Sequence, residues 1–288
     1  MNAQHLLLLA LNASMFLVVF VLGLGATFQS VTYLFRHPGL LLRSILSMNV
    51  VMLAFAIVVC VWFQPPVAVR IALIGIAISP VPPILPNQQL GAGGASQYVF
   101  GLLVGTAPSS IVIAPAAIEL IDRWYGFDVH LPPAKIATIM FVSIVIPLLV
   151  GILVNRFAPV LAKRIAKPVA MFANVLLVVA ALPMLFAVSP MLWPLVGNGV
   201  LAALVAFTIV GIAVGHFLGG PSEENRSVLA LATGSRHPGI ALALASINFP
   251  DQKDVIAVVL YHLVIGALVA LPYVFWRKRI HAREQVGP

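Results

Sequence analysis

Apolar residues run along this chain in long blocks separated by short polar stretches. A block of about 20 such residues matches a helix that crosses the hydrocarbon core of a bilayer. Read this way, the pattern predicts nine spans, at about 5–28, 39–62, 67–88, 97–119, 135–155, 168–188, 195–218, 227–247 and 255–275. QSVTYLFRHP joins the first two, and Gln64, Pro65 and Pro66 turn the chain into the third. The longest polar loop, 119–134, carries Glu119, Asp122, Arg123, Asp128 and His130. A basic loop, NRFAPVLAKRIAKP, follows the fifth span, GGPSEENR introduces the eighth, and the charged turn PDQKD precedes the ninth.

Two of these blocks cannot be continuous helices. LALATGSRHPGIALALASIN, residues 229–248, is interrupted by Gly234, Ser235, Arg236, His237, Pro238 and Gly239. Pro238 has no N–H and disfavours helix at the residue before it, and the glycines weaken the flanking turns. Two half-helices meeting near mid-membrane are expected, with a re-entrant hairpin as the alternative. The second interruption is IALIGIAISPVPPILPNQQLGAGG, residues 71–94, broken near 79–86 and opening at Ser79 and Pro80. Irregular backbone at membrane depth survives only inside protein or along a polar cavity. Two broken segments at matching places in two halves point to the binding site of a secondary transporter.

The expected fold is an all-α polytopic membrane protein of about nine transmembrane helices, an inverted repeat with two discontinuous crossing helices. It forms one transmembrane domain over 1–288. The first repeat, 1–119, has its third span broken near 79–86, and 120–167 holds the linking loop, fifth span and basic loop. The second repeat, 168–276, has its eighth span broken near 234–239, and 277–288 is a cytoplasmic tail. Spans one to four pair with six to nine, and an odd linking span inverts the second set.

Composition excludes a soluble fold: 61% of residues are hydrophobic, 8% are charged and mean hydropathy is +1.09, against about 25% charged in soluble domains. The net charge of +8 is spread between spans, so it signals orientation and not nucleic-acid binding. Arg36, Arg156, Lys163, Arg164, Lys167, Arg226, Arg277, Lys278, Arg279 and Arg283 fall on the C-terminal side. Arg123, Lys135 and Lys253, with Arg70 just inside a span, fall on the other. The C-terminus is therefore expected in the cytoplasm and the N-terminus outside an inner (plasma) membrane. The first block lacks a basic leader and cleavage site and reads as a retained span. Trp62, Trp124, Trp193 and Trp276 lie near span ends. Cys60 is the single cysteine, which excludes an internal disulfide and suggests no metal or redox cluster.

Arg236 carries the chemical weight. An arginine at mid-membrane costs from about 3 to over 10 kcal/mol and is a functional candidate by default. It reads as an anchor for an anion or as a stand-in for a bound cation; the competing reading is a cap on carbonyls freed by Pro238. His237 and His262 could couple protons or bridge helices. Asn12, Asn49, Asn87, Gln88 and Gln97 are candidate polar lining, Arg43 snorkels from its span, and His216 is interfacial. Gly91, Gly93 and Gly94 form a turn, since no GxxxxGK[ST] is present. No nucleophile–base set suggests an enzyme.

FRHPGLLLRSIL after the first span, the break at Ser79 and Pro80, and ATGSRHPGIALALA followed by Tyr261 and His262 give the chain its likeness. It resembles the bile acid:sodium symporters and their bacterial and plastid relatives over nearly its whole length, less one N-terminal span found in some bacterial members. The resemblance implies a core domain with two crossed broken helices beside a panel domain, and alternating access that carries organic anions with sodium. The family's sodium-holding glutamate, glutamine and asparagine look like Ala232, Arg236 and His237 here, and a further glutamine looks like Met48, beside Asn49. VPPILP offers only carbonyls in the first crossing. All eight acidic residues (Glu119, Asp122, Asp128, Glu223, Glu224, Asp251, Asp254 and Glu284) fall in loops or at span ends. Arg236 would repel Na+ by roughly 4 kcal/mol at 4 Å and an effective dielectric of 20. The expectation is a small organic anion as substrate, the bilayer as environment, no nucleic-acid partner and no resident cofactor, with sodium disfavoured and a coupled proton admissible. The binding set is Arg236, His237, Ser235, Gly234, Gly239, Pro238, Ser79, Pro80, Pro82, Asn49 and His262.

Overall fold

The fold follows from where prolines and glycines interrupt otherwise apolar helices. A computed structural model describes residues 3–125, 132–192, 199–249 and 253–286, and among these the regular structure is helical throughout. Asp128 and His130 of the long loop, Trp193, the first residues of the seventh predicted span and Asp251 lie outside the described residues.

Helix α1 is Ala3–Gly25. The predicted polar link after it is instead partly helical, as two single turns, α2 (Phe28–Val31) and α3 (Tyr33–Arg36). Thr27 and Ser30 form a reciprocal capping box there, which satisfies amides that a loop would leave open. Helix α4 runs from Pro38 to Trp62, with Pro38 at its first position, and widens to a π-helix over Leu46–Val51.

The third predicted span is indeed two pieces, α5 (Val67–Ala77) and α6 (Leu85–Gly91). Pro80, Pro82 and Pro83 supply no N–H between them, so no helical ladder can cross residues 78–84. Ser79 closes the end of α5 by donating its hydroxyl to Gly75 O at 2.6 Å. The glycine turn after α6 needs a left-handed residue, which Gly93 provides with φ +76°. Helix α7 (Ser96–Tyr125) bends by 45° between its Ser96–Thr106 and Pro108–Glu119 parts.

Helix α8 spans Pro133–Phe157 and α9 spans Pro159–Leu192. The basic loop expected over 155–168 is thus almost wholly helical. Leu, Ala, Lys and Arg are strong helix formers, and Pro159 sits at a helix start, where its missing N–H costs nothing. Helix α10 is Val200–Leu218. The eighth predicted span divides into α11 (Glu223–Gly234) and α12 (Pro238–Asn248). Helix α13, Lys253–Val286, continues ten residues and more past the expected span end, so most of the predicted tail is helical.

By length and apolarity alone, four helices among the described residues can cross a membrane (Pro38–Trp62, Pro133–Phe157, Val200–Leu218 and Asp254–Arg283), or five with the bent α7. The halves of the broken spans are individually too short to count. Phe157, Val160 and Phe217 stand about four-fifths exposed, which is costly in water but suits contact with lipid chains. The chain is a multi-pass membrane protein.

Close packing relies on glycine where backbones touch. α10 lies along α11, and Gly211 faces Gly234 so closely that an added Cβ would come within 2.8 Å of Gly234 Cα and of Thr233 O. Gly211, Gly215 and Gly219 repeat every fourth residue, the small-residue stripe that lets membrane helices approach. α1 packs on α8 and α9, whereas α5 packs on α12 and α13, and α6 packs on α11.

Candidate functional site

The two breaks meet. The backbone N–H of His237 donates to Pro80 O at 2.9 Å, which ties residues of the two interruptions directly. Around this bond each break is organised by its own sequence. Ser235 ends α11 in an extended conformation, its N–H donating to Leu231 O at 3.0 Å. His237 caps α12 by accepting the Gly239 N–H on Nδ1 at 2.9 Å, with Pro238 at the first helical position. Because Nδ1 accepts, the neutral ring carries its proton on Nε2, an atom with no protein partner.

Arg236 lies between these elements and is 1% exposed. Its Nη1 donates to Ser79 O at 3.3 Å and its Nη2 to Met48 O. Met48 is in the π-helical stretch of α4. A π turn displaces the regular ladder, and here it presents a carbonyl to the guanidinium. Nε of Arg236 has no partner among the described residues. Among the described residues Arg236 forms no ion pair, so the crossing holds an unneutralised buried cation facing backbone oxygens. Two charge-assisted hydrogen bonds, about 1.5–3 kcal/mol each, offset part of its desolvation cost.

The other predicted residues divide. Gly234 ends α11 against Gly211, and Gly239 is the second residue of α12, where a Cβ would meet the His237 ring at 2.7 Å. Ser79 contributes a carbonyl to Arg236, Pro80 contributes one to His237, and Pro82 lies buried in the same break. Asn49, next to Met48, is 1% exposed and neither atom of its amide has a partner. His262 is buried in α13, its ring edge-on to Phe207 at 5.4 Å between centroids, with Nδ1 unpartnered. No hydrogen bond among the described residues joins His262 to Arg236, so it stands beside the crossing and not in its network.

Sequence reasoning missed three links. Ser47 and Thr233 share a buried 2.7 Å hydrogen bond between α4 and α11. Gln89 donates to Val228 O at 2.8 Å, joining α6 to α11. The Met48 carbonyl is the third. Buried Ser, Thr and Gln within apolar runs are a weak signal for such links; a backbone carbonyl leaves none. Of the candidate polar lining, Asn87 and Gln88 border a separate cavity of about 350 Å³ between α6 and α13, with Lys278 at its edge. Asn12 is exposed on α1.

A second structural centre lies at the other end of α11. Arg277 of α13 is 3% exposed and donates Nε to Ser227 Oγ at 2.7 Å, Nη1 to Glu223 Oε2 at 2.5 Å and Nη2 to Glu223 O at 2.8 Å. Arg226 Nη1 holds the other Glu223 oxygen at 2.5 Å, and its Nε reaches Gly220 O at 2.8 Å. Partial burial would raise the Glu223 pKa, but the Arg277 hydrogen bond and the charges of Arg277 and Arg226 hold it below the usual carboxylate value.

In a comparison with protein families, the model described as "Sodium Bile acid symporter family" matches residues 13–188. That stretch includes the first break and stops inside α9, before the second. No curated protein matches the chain.

Proposed function

The chain belongs to the sodium bile acid symporter family, and we propose that it is a secondary transporter that moves a small organic anion by alternating access without coupling to sodium. The substrate site in this reading is the crossing of the third and eighth spans, in a bundle of nine spans with the N-terminus outside and the C-terminus in the cytoplasm of an inner membrane. An inverted repeat is supported by the pairing of half-helices: α5 packs on α12 and α6 on α11, as two broken spans running in opposite directions would.

One observation carries the sodium-independent reading. A buried guanidinium occupies the place where carbonyl oxygens of Ser79 and Met48 converge, which is the ligand chemistry a desolvated cation would need. With the arginine there, the site is already cationic, and the start of α12 adds a positive helix end. An anion is the complementary ligand. Among the described residues Arg236 Nε and the Asn49 amide N–H groups are donors without partners, which suits them to a carboxylate. His237 and His262 are the groups through which a proton could be coupled; without them the mechanism reduces to facilitated exchange.

The test is anion uptake into proteoliposomes, with and without Na+, at two pH values. Saturable uptake that ignores Na+ supports the proposal. Uptake that strictly requires Na+ and ignores pH overturns it in favour of a sodium site built from carbonyls. Anion binding lost in Arg236→Ala, with no flux in the wild-type protein, favours a membrane sensor on the same scaffold.

A further inference from the structure

Outside the crossing, a cavity of about 400 Å³ opens where the start of α4 faces the turn between α10 and α11. Its walls include Tyr33, Arg36, His37, Arg43, Gly220 and Asn225. No carboxylate among the described residues lines it. Nearby, the half-buried Arg226 and the buried Arg277 both pair with Glu223. Arg36 and Arg43, by contrast, form no ion pair and no hydrogen bond among the described residues, and both are exposed.

The walls are built for an oxyanion. Tyr33 and His37 stack with ring centroids 4.1 Å apart, and His37 Nδ1 lies 2.9 Å from Tyr33 O, which fixes that wall. Across the opening Gly220 has φ +89°, and a Cβ there would stand 3.0 Å from Arg43 Nη1. The backbone therefore leaves room for the guanidinium. Gly39, at the start of α4, would carry a Cβ into open space. Two arginine forks on one cavity match the tetrahedral face of a phosphate, which accepts several parallel N–H bonds. Phe35, Leu42 and Leu46, neighbours of the two arginines, are exposed apolar residues, as suits a site at a membrane surface.

We propose that this Arg36–Arg43 cavity binds a phosphate group, as a phospholipid headgroup or as free phosphate. A bound phosphate would bridge the entrance of α4 to the Gly219–Pro221 turn from which the second broken span begins. The site shares no residue with the crossing, so it stands whether or not the transport reading does.

The experiment is thermal unfolding of the whole protein in dodecyl maltoside micelles, which carry no phosphate. One arm adds inorganic phosphate or, as the control, chloride at equal ionic strength. The other adds phosphatidylglycerol without inorganic phosphate. Wild type is expected to unfold about 5 °C higher in at least one phosphate-bearing arm, and Arg36→Gln/Arg43→Gln is expected to lose that rise. A rise with phosphatidylglycerol alone assigns the site to a lipid headgroup; a rise with inorganic phosphate shows that the free anion suffices. The single variant Arg36→Gln, a change at an exposed position, is expected to lose at least half the shift and serves if the double variant unfolds. No rise in either arm, or an equal rise in the variants, overturns the proposal.

Discussion

Arg236 owes its place to atoms that are mostly not side chains. Its two partners, the backbone carbonyls Ser79 O and Met48 O, belong to a proline-rich break and a π-helical stretch. Replacement by alanine leaves both carbonyls without these donors in a buried setting, a cost of about 1–3 kcal/mol for each unsatisfied group. If the guanidinium stands in for a cation, Arg236→Ala should acquire a response that the wild type lacks. Added Na+ is expected to raise the variant's unfolding temperature and to leave the wild type unchanged. An equal, null response in both would reduce Arg236 to a cap. The residues of this network were legible in unequal measure. Ser79, Pro80, Arg236 and His237 announce themselves, because proline removes N–H groups and an arginine within an apolar run is costly. The contribution of Met48 was not legible, because the π turn that exposes its carbonyl depends on what packs against α4.

At the level of whole helices, the stripe of Gly211, Gly215 and Gly219 sets how closely α10 lies on α11. Gly211→Ala would put a methyl group 2.8 Å from backbone atoms of Gly234 and Thr233, so it should destabilise the protein by about 1–3 kcal/mol. Gly25→Ala, where nothing lies within 4 Å, should be neutral in the same thermal-unfolding assay. The far end of α11 is held to α13 by Glu223 and Arg277. Glu223→Gln would leave the buried Arg277 without its counter-charge and should cost about 2 kcal/mol, less than for a fully buried pair, because the Glu223 side chain is 39% exposed. The sign with pH follows from the lowered pKa of Glu223. Its contribution is complete at neutral pH and is lost as the pH falls below the usual carboxylate range. Glu223→Gln should therefore flatten the acid limb of a stability–pH curve measured by thermal unfolding. The apolar periodicity located every helix of this region. It placed the ends of α9 and α13 poorly, because charged Lys and Arg end an apolar run without ending a helix.

For the molecule as a whole, the decisive quantity is which face each basic cluster meets. Helix α8 has 25 residues, about 37 Å at 1.5 Å per residue, enough to cross a hydrocarbon core of about 30 Å. Lys135 lies at its start and Lys163 just beyond its end, both exposed. Arg156, Arg164 and Lys167 accompany Lys163, and an excess of basic residues marks the cytoplasmic side. Cys60, the native thiol, is buried, so single cysteines can be introduced against a quiet background. In intact cells a membrane-impermeant thiol reagent is expected to label Lys135→Cys, and to reach Lys163→Cys only after permeabilisation. Labelling of both from one side would mean that α8 does not cross, and the proposed inverted repeat, which needs an odd link, would be lost with it. The reverse pattern would keep the span and turn the molecule over, placing the Arg36–Arg43 cavity and the Glu223–Arg277 pair on the outer face. The basic clusters at 36–43, 156–167 and 277–283 would then all have to defy the same electrostatic rule together, which is why the labelling of this one helix tests the orientation of the rest.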